Sequence, residues 1–399
     1  MQDVDKSIYV LRPECSEKIT EFAIESEKTL FQASKDDLVF SNAMTVGLSF
    51  LIDRGIYINQ NVFALKIDET KYNKTFLKWY FNLIFKPNFD KIHTSKYISK
   101  GEVGKIKIPS FQIETLQLIA PKIEAIEKEI IALQATLLEP TMVINKVFGE
   151  AFEFDWSAFE NVKKEKIYTS SISKFANNID CRMGIRFHNK AGAYIQSFLE
   201  SKTNKRIKDF ITEPIVLGKS VSPSDYDEDG EYFYIAMSNI KTWAFDSEDC
   251  KKVSETYAAS NLNKTVKKGD ILLARSGEGT IGKVALIEDE EINGIFADFT
   301  QRIRLTGFDP LCAYYYMRSD FFQYLVYTHK KGLGNNTNIF PSQIKEFPIP
   351  DWDENQQAEI VLVIKSQLDA QKEIDRQIQE KQQAINKIIE NAIQTEFNQ

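Results

Sequence analysis

The sequence predicts an α+β protein: two units of mixed β-sheet and helices, separated by two long helices that pair antiparallel as a coiled coil. Three observations predict it. One order of elements runs through the chain twice, two helical stretches carry apolar residues in one heptad phase, and a glycine-rich segment lies between two strand-like runs. The boundaries that follow are residues 1–112 for the first unit, 113–150 for a central long helix, 151–352 for the second unit and 353–399 for a C-terminal long helix.

The duplicated plan is read element by element. In the first unit, "KDDLVFSNAMTVGLSFLIDRGIYINQNVFALKI" precedes an aromatic, Lys-rich helix around "TFLKWYFNLIF", then "HTSKYISKGEVGKIKIP" leads into a helix. In the second, "KKGDILLARSGEGTIGKVALIEDEEINGIFADFTQRIRL" precedes "CAYYYMRSDFFQYLVY", and "THKKGLGNNTNIFPSQIKEFPIP" again leads into a helix. Asp37 corresponds to Asp270, Gly47 to Gly282, and Ile108–Pro109 to Ile349–Pro350. The first unit starts almost directly at "SIYVLRPECSEKI", whereas some seventy residues precede the matching "YFYIAMSNIKTW" of the second. The first portion of the first unit is therefore expected to be short, as a native feature, a late start or a fragment.

In the central helix Leu116, Ile119, Ile123, Ile126, Ile130, Leu133 and Leu137 alternate at spacings of three and four, a heptad seam. Ile360, Ile364, Ile374 and Ile378 continue that phase at the offset fixed by Ile108 and Ile349, and Ile385 and Ile388 extend it. Gln367, Gln371 and Lys381 interrupt the second seam, where polar groups tend to set register and partner. Pro121 predicts a break or a late helix start. As single helices, residues 113–148 and 353–397 would span roughly 54 Å and 68 Å.

The segment "ARSGEGTIGKV" fits the Gly-x4-Gly-Lys spacing from Gly277 to Lys283. A phosphate loop needs a Ser or Thr after the Lys to hold magnesium, and a helix whose N-terminus faces the anion. Here Val284 follows the Lys, and "VALIEDE" has the β-branched, alternating character of a strand. The segment reads as a hairpin tip that presents Arg, Ser and Lys.

Length and composition bound the rest. The 399 residues allow two or three domains. "MQDVDKSIYV" is acidic where a secretory signal is basic, and no apolar run approaches membrane-spanning length, so the expected compartment is the cytoplasm. Cys15, Cys181, Cys250 and Cys312 lack paired short spacings, which suggests neither a zinc site nor a disulfide framework. His188 has no second ligand at metal spacing. The net charge of −7 hides a pattern: residues 71–107 carry nine Lys against two acids, and residues 160–220 carry twelve Lys or Arg against six. Solvated charge on unrelated faces and a common basic face both fit this pattern.

The repeat, "GDILLARSGEGTIGKVALIE" and "GLGNNTNIFPSQIKEFPIPDWDENQQAEI" together resemble the specificity subunit of type I restriction-modification systems. The resemblance implies two target-recognition domains, each reading one half of a bipartite double-stranded DNA target. It also implies that the long helices dock DNA methyltransferase subunits, which work with a restriction and translocase subunit in phage defence. S-adenosylmethionine, ATP and magnesium would belong to those partners, with no cofactor or metal in this chain. No amide-Pro-Pro-aromatic methylation motif is present, so the chain is expected to be non-catalytic. Two alternatives stand beside this reading: the recognition portion of a fused restriction and methyltransferase enzyme, and a coiled-coil scaffold without DNA contact.

On the DNA-recognition reading, Arg275, Ser276, Thr280 and Lys283 form one contact group, with amides and short side chains at phosphates and Arg275 at a base edge. A tight turn whose glycines only satisfy backbone geometry is the competing account. The corresponding first tip offers Asn42 and Thr45 without positive charge, so the two units should contact different sequences. The loops before the long helices add Lys91, His93, Lys96, Tyr97, Lys100 and Lys105 in the first unit. In the second they add His329, Lys330, Lys331, Asn335, Asn336 and Asn338. Lysines there would neutralise phosphates and Asn could pair with adenine; a mobile polar loop fits equally for any single residue.

Overall fold

The computed structural model describes residues 9–11, 20–21 and 31–397, except 53–54, 59, 94–95, 110, 166, 170, 174–181, 241, 290–291 and 334–335. It divides into two compact units, Met1–Leu137 with Lys372–Gln399, and Leu138–Gln371. Most of the first thirty residues, on which the expectation of a shortened first unit rests, lie outside the described residues, as do Cys15, Cys181 and Asn335. Among the described residues no helix is long and apolar enough to cross a membrane.

The first unit contains seven short strands: β1 (Tyr9–Leu11), β2 (Thr20–Glu21), β3 (Phe31–Ala33), β4 (Leu38–Ser41), β5 (Ser49–Leu51), β6 (Ile56–Ile58) and β7 (Val62–Leu65). They form two sheets, ordered β2-β1-β6-β3 and β5-β4-β7. Every residue of β4 is buried, as its unbroken apolar "LVF" requires of a strand covered on both faces. The aromatic segment forms α1 (Lys74–Tyr80), a π-helical turn over Phe81–Phe85 and α2 (Lys86–Ile92). Asn73 caps α1 by accepting from the Phe76 amide at 3.0 Å. A one-turn helix, α3 (Lys100–Val103), starts from a capping box of Ser99 and Glu102.

The heptad seam is divided between the two units. In the first, α4 (Ile113–Gln134) and the C-terminal helix (Glu354–Phe397) enter one hydrophobic core. Leu116, Ile123, Ile130, Ile378, Ile385 and Ile389 are buried in it, and Ile119, Ile126, Leu133, Ile374 and Ile388 are packed against it. Phe76, Leu77 and Phe81 of the α1 region line the same core. Lys381 pairs with Glu129 across the seam and Lys78 pairs with Glu127. Three expectations are corrected here. Pro121 lies inside α4 without ending it: burial of Leu116, Ala120 and Ile123 around it outweighs one missing backbone donor. Residues 113–150 are not one helix, because α4 stops at Gln134 and α5 (Pro140–Phe152) begins with Pro140, which drives Glu139 to ψ 141°. A single 54 Å span is thereby lost, and α4 alone covers roughly 33 Å. Leu137 is 39% exposed in the break, so it is not a seam residue.

The second unit packs α5, α6 (Trp156–Lys164) and α7 (Lys190–Lys202) around a core of Phe148, Phe152, Phe159, Phe321 and Phe322. Ile364 is buried in that core and Ile360 packs against it. The first turns of the C-terminal helix thus serve the second unit's own interior, contrary to the predicted helix-to-helix seam. The strands are β8 (Val216–Leu217), β9 (Tyr232–Ile235), β10 (Lys251–Val253), β11 (Ile271–Ala274), β12 (Val284–Leu286), β13 (Gly294–Phe296) and β14 (Thr300–Ile303). Their sheets are ordered β10-β9-β13 and β12-β11-β14-β8. The remaining helices are α8 (Glu255–Ser260), α9 (Pro310–Arg318), α10 (Asp320–His329) and α11 (Pro341–Ile344).

The duplicated plan extends to individual hydrogen bonds. β4 pairs antiparallel with β5 and β7, as β11 does with β12 and β14. β1 pairs with β2 antiparallel and with β6 parallel, as β9 does with β10 and β13. The Asp37 carboxylate accepts from the Ser34 amide at 2.8 Å, and that of Asp270 from the Lys267 amide at 2.7 Å. In the first unit Asp36 takes the left-handed conformation that Gly269 holds in the second. Gly47 (φ +89°) and Gly282 (φ +88°) each leave no room for a Cβ, which would meet Phe85 at 2.8 Å and Val326 at 2.9 Å. The tips between these landmarks differ, being two residues longer in the second unit.

Candidate nucleic-acid interface

In each unit the hairpin tip is joined by backbone pairing to the loop that precedes the long helix. In the second unit the Ile339 amide donates to Arg275 O at 2.9 Å, Ser276 bridges Asn338, and Lys331 and Asn338 exchange amide-to-carbonyl bonds of 2.7 and 2.8 Å. In the first, the Ile98 amide donates to Asn42 O at 2.8 Å, Ala43 bridges Tyr97, and the Met44 amide donates to Lys96 O at 2.8 Å. The two segments picked out by sequence are thus one surface in each unit. Neither tip feeds a helix: β12 follows Lys283 directly, which excludes the phosphate-loop geometry.

At the second tip Gly277, Gly279 and Gly282 all have positive φ, so turn geometry alone accounts for the glycines. The Thr280 hydroxyl donates to Ser276 O at 2.8 Å and the Ser276 hydroxyl to Thr337 O at 3.3 Å. Arg275 donates Nε to Asp298 O at 2.9 Å and lies over the Phe340 ring, which fixes the direction of its guanidinium. The Lys283 ammonium stands 5.8 Å from the Trp243 ring centre, as does the Arg318 guanidinium. Trp243 has φ +64°, and its carbonyl accepts from the Tyr314 hydroxyl. Phe299, 49% exposed, accepts at its carbonyl from the Arg275 amide. Asn336 is exposed.

Several expected contacts are corrected by burial. Lys330 is 5% exposed and its ammonium meets both Glu278 oxygens at 3.1 and 3.2 Å. Lys330 holds the Glu278 carboxyl below the usual carboxylate range, aided by Thr337 and Arg186. Its charge is spent inside the unit rather than on a phosphate. Asn42 is 1% exposed with its amide on Ile98 O at 3.2 Å, so it braces the first tip and presents nothing to a base. His329 packs between the Phe187 and Phe347 rings, and removal from water lowers its pKa from 6.5. Thr45 is partly buried, with its hydroxyl on Ser41 Oγ at 3.2 Å.

The first unit keeps an accessible basic rim. Lys91, His93, Lys96, Tyr97, Lys100 and Lys105 are exposed, and the His93 ring stacks on Phe89 at 4.4 Å. Three residues outside the expected contact set also lie at these surfaces. Met44 stands exposed on the first tip. Arg182 donates to the His329 and Lys330 carbonyls at 2.8 and 2.7 Å, and Arg186 lies over the Tyr327 ring. The basic bias of residues 160–220 was the signal that could have found the two arginines. Among the described residues no group of three or more His, Cys, Asp or Glu is placed to hold a metal ion.

Residues 200–392 match the family model described as the type I restriction modification DNA specificity domain. No match was found among curated proteins. Three solved chains are similar. One belongs to a study of complex assembly and conformational transition of the type I R-M system, with 12% identity, TM-score 0.44, and 98% of this chain and 91% of that chain covered. Another is the type I restriction-modification S subunit from M. genitalium, with 10% identity, TM-score 0.46 and coverage of 96% and 88%. The third is the HsdS subunit from Thermoanaerobacter tengcongensis, with 12% identity, TM-score 0.33 and coverage of 94% and 85%.

Proposed function

We propose, from the match of residues 200–392 to the model of the type I restriction modification DNA specificity domain, that the whole chain is the DNA-recognition subunit of a type I restriction-modification complex. The observation that carries this to the first unit is the same join of hairpin tip to pre-helix loop in both: the Ile98 amide donates to Asn42 O as the Ile339 amide does to Arg275 O, and Ala43 bridges Tyr97 as Ser276 bridges Asn338. Each junction then reads one half of a bipartite duplex target. Basic side chains on the rims, Lys91, Lys96, Lys100 and Lys105 in one unit and Lys331 and Lys283 in the other, position the backbone through phosphates, while Arg275, Asn336 and Asn338 reach base edges. The long helices offer the surface for methyltransferase subunits, which bring S-adenosylmethionine. The restriction subunit brings ATP and magnesium chemistry, and the present chain transfers no group itself.

The test is to co-express the chain with a DNA methyltransferase subunit from the same host, co-purify the two, and map methylated adenines in the host genome. A two-part consensus with an unread gap, dependent on this chain, is the expected result. Co-purification without any sequence-dependent mark would reduce the protein to a scaffold. Turnover of S-adenosylmethionine by the isolated chain would point to the fused-enzyme alternative.

A further inference from the structure

We propose that Met44, at the apex of the first tip, is a wedge that enters between two stacked bases of the half-site read by the first unit. The inference rests on the reading that this unit contacts DNA, and adds to it the residue that deforms the duplex.

Two unfavourable features meet at Met44. It is 56% exposed despite an apolar side chain, and it has φ +61°, the left-handed conformation that a Cβ disfavours. In the second unit the residue after the bridged Ser276 is Gly277, with φ +86°. The repeat therefore shows what backbone geometry alone would select at this place, and the first unit carries a long thioether there instead. Methionine is among the side chains that proteins insert between base steps.

The mounting suits a wedge. Beneath the apex, Ala43 and Val46 are 8% and 2% exposed, and the turn is closed by Ser41 Oγ to Ala43 O at 2.9 Å, Gly47 N to Ser41 O at 2.9 Å and Leu48 N to Thr45 O at 3.0 Å. A side chain inserted into a stack must be pressed from a base that does not yield. The Met44 amide is tied to Lys96 O, and the next residue, Tyr97, is 55% exposed. Lys96, whose carbonyl accepts from Met44, is exposed, as are Lys91, Lys100 and Lys105 of the same chain segment, and a run of exposed lysines is the electrostatic setting of a phosphate backbone. The only side-chain carboxylate among residues 91–107 is Glu102, and its Oε2 accepts from both the amide and the hydroxyl of Ser99. An apolar apex within a cationic rim fits a duplex better than it fits a hydrophobic protein surface.

The experiment uses the full chain in complex with its methyltransferase. The duplex carries the two-part target defined by adenine mapping, with 2-aminopurine in place of adenine, or pyrrolocytosine in place of cytosine, at each base pair in turn. The wild-type complex should raise fluorescence at one step in one half-site. Met44→Gly, which suits the backbone conformation and so keeps the fold, should abolish that rise and weaken binding about tenfold; Met44→Leu should retain both. If no two-part target exists, the functional reading itself fails. If the target exists but no position brightens with the wild-type complex, or if the signal survives in Met44→Gly, the wedge is overturned and the functional reading stands.

Discussion

At the scale of single residues, the Lys330 ammonium meets both Glu278 oxygens at 3.1 and 3.2 Å inside the second unit. Lys330 and Lys331 are adjacent in a basic loop and looked equivalent, yet Lys330 is buried against Glu278. The partner lies 52 residues away in sequence, so no local pattern reveals it. Glu278→Gln is expected to lower the urea midpoint by leaving a buried ammonium unpaired, and adding Lys330→Met should recover most of the loss. A double mutant no more stable than Glu278→Gln would show the pair to be incidental. His329 gives a pH prediction. Its pKa is lowered from 6.5 by desolvation, so between that value and its folded pKa the unfolded chain binds more protons. Its contribution is complete above about pH 6.5 and is lost as pH falls through that window. His329→Gln should flatten the acid side of the stability profile over that range, measured by denaturant titration at several pH values. Met44→Gly should raise stability by about 1 kcal/mol through relief of the left-handed strain, a gain readable as a rise in Tm.

At the scale of elements, the two hairpins were legible because glycine positions and apolar runs are local signals, and Gly47 and Gly282 turned out to share both φ and a tight neighbour. Gly282→Ala combines positive φ with a Cβ 2.9 Å from Val326 Cγ1 and Gln323 Oε1, so it should cost about 2 kcal/mol or more in unfolding free energy. The long helices are less legible. Heptad phase predicts which face is apolar, but it does not say what covers that face: Ile364 and Ile385 share a phase, and one joins the aromatic core of its unit while the other joins α4. The break after Gln134 was signalled by the residue pair Glu139–Pro140, whose steric effect competes directly with helix periodicity. Pro121 was overrated as a breaker because only tertiary burial, which the sequence does not display, compensates its missing donor.

At the scale of the whole molecule, each unit has its own core: Leu38, Phe40, Phe76 and Ile123 lie in one, and Phe148, Ile195, Ile271 and Phe321 in another. Substitutions that share no partners act independently, so a change at the second tip should leave recognition by the first untouched. Arg275 and Lys283 separate two kinds of contact on that tip. The guanidinium of Arg275 is aimed by its bond to Asp298 O, and loss of an aimed base contact relaxes sequence choice at one position, at a cost of about 1–3 kcal/mol. Lys283 is a point charge beside Trp243, and loss of a phosphate contact weakens all sequences alike and lowers the salt slope by about 1. Arg275→Ala should therefore alter one half of the methylated consensus and preserve the other, while Lys283→Ala preserves both halves and flattens the dependence of binding on salt. Adenine mapping with each variant, joined to binding titrations at several salt concentrations, distinguishes these outcomes. If Arg275→Ala changed both halves, the two junctions would not be reading separate half-sites, and the bipartite assignment would fall even though the specificity-domain match of residues 200–392 remained.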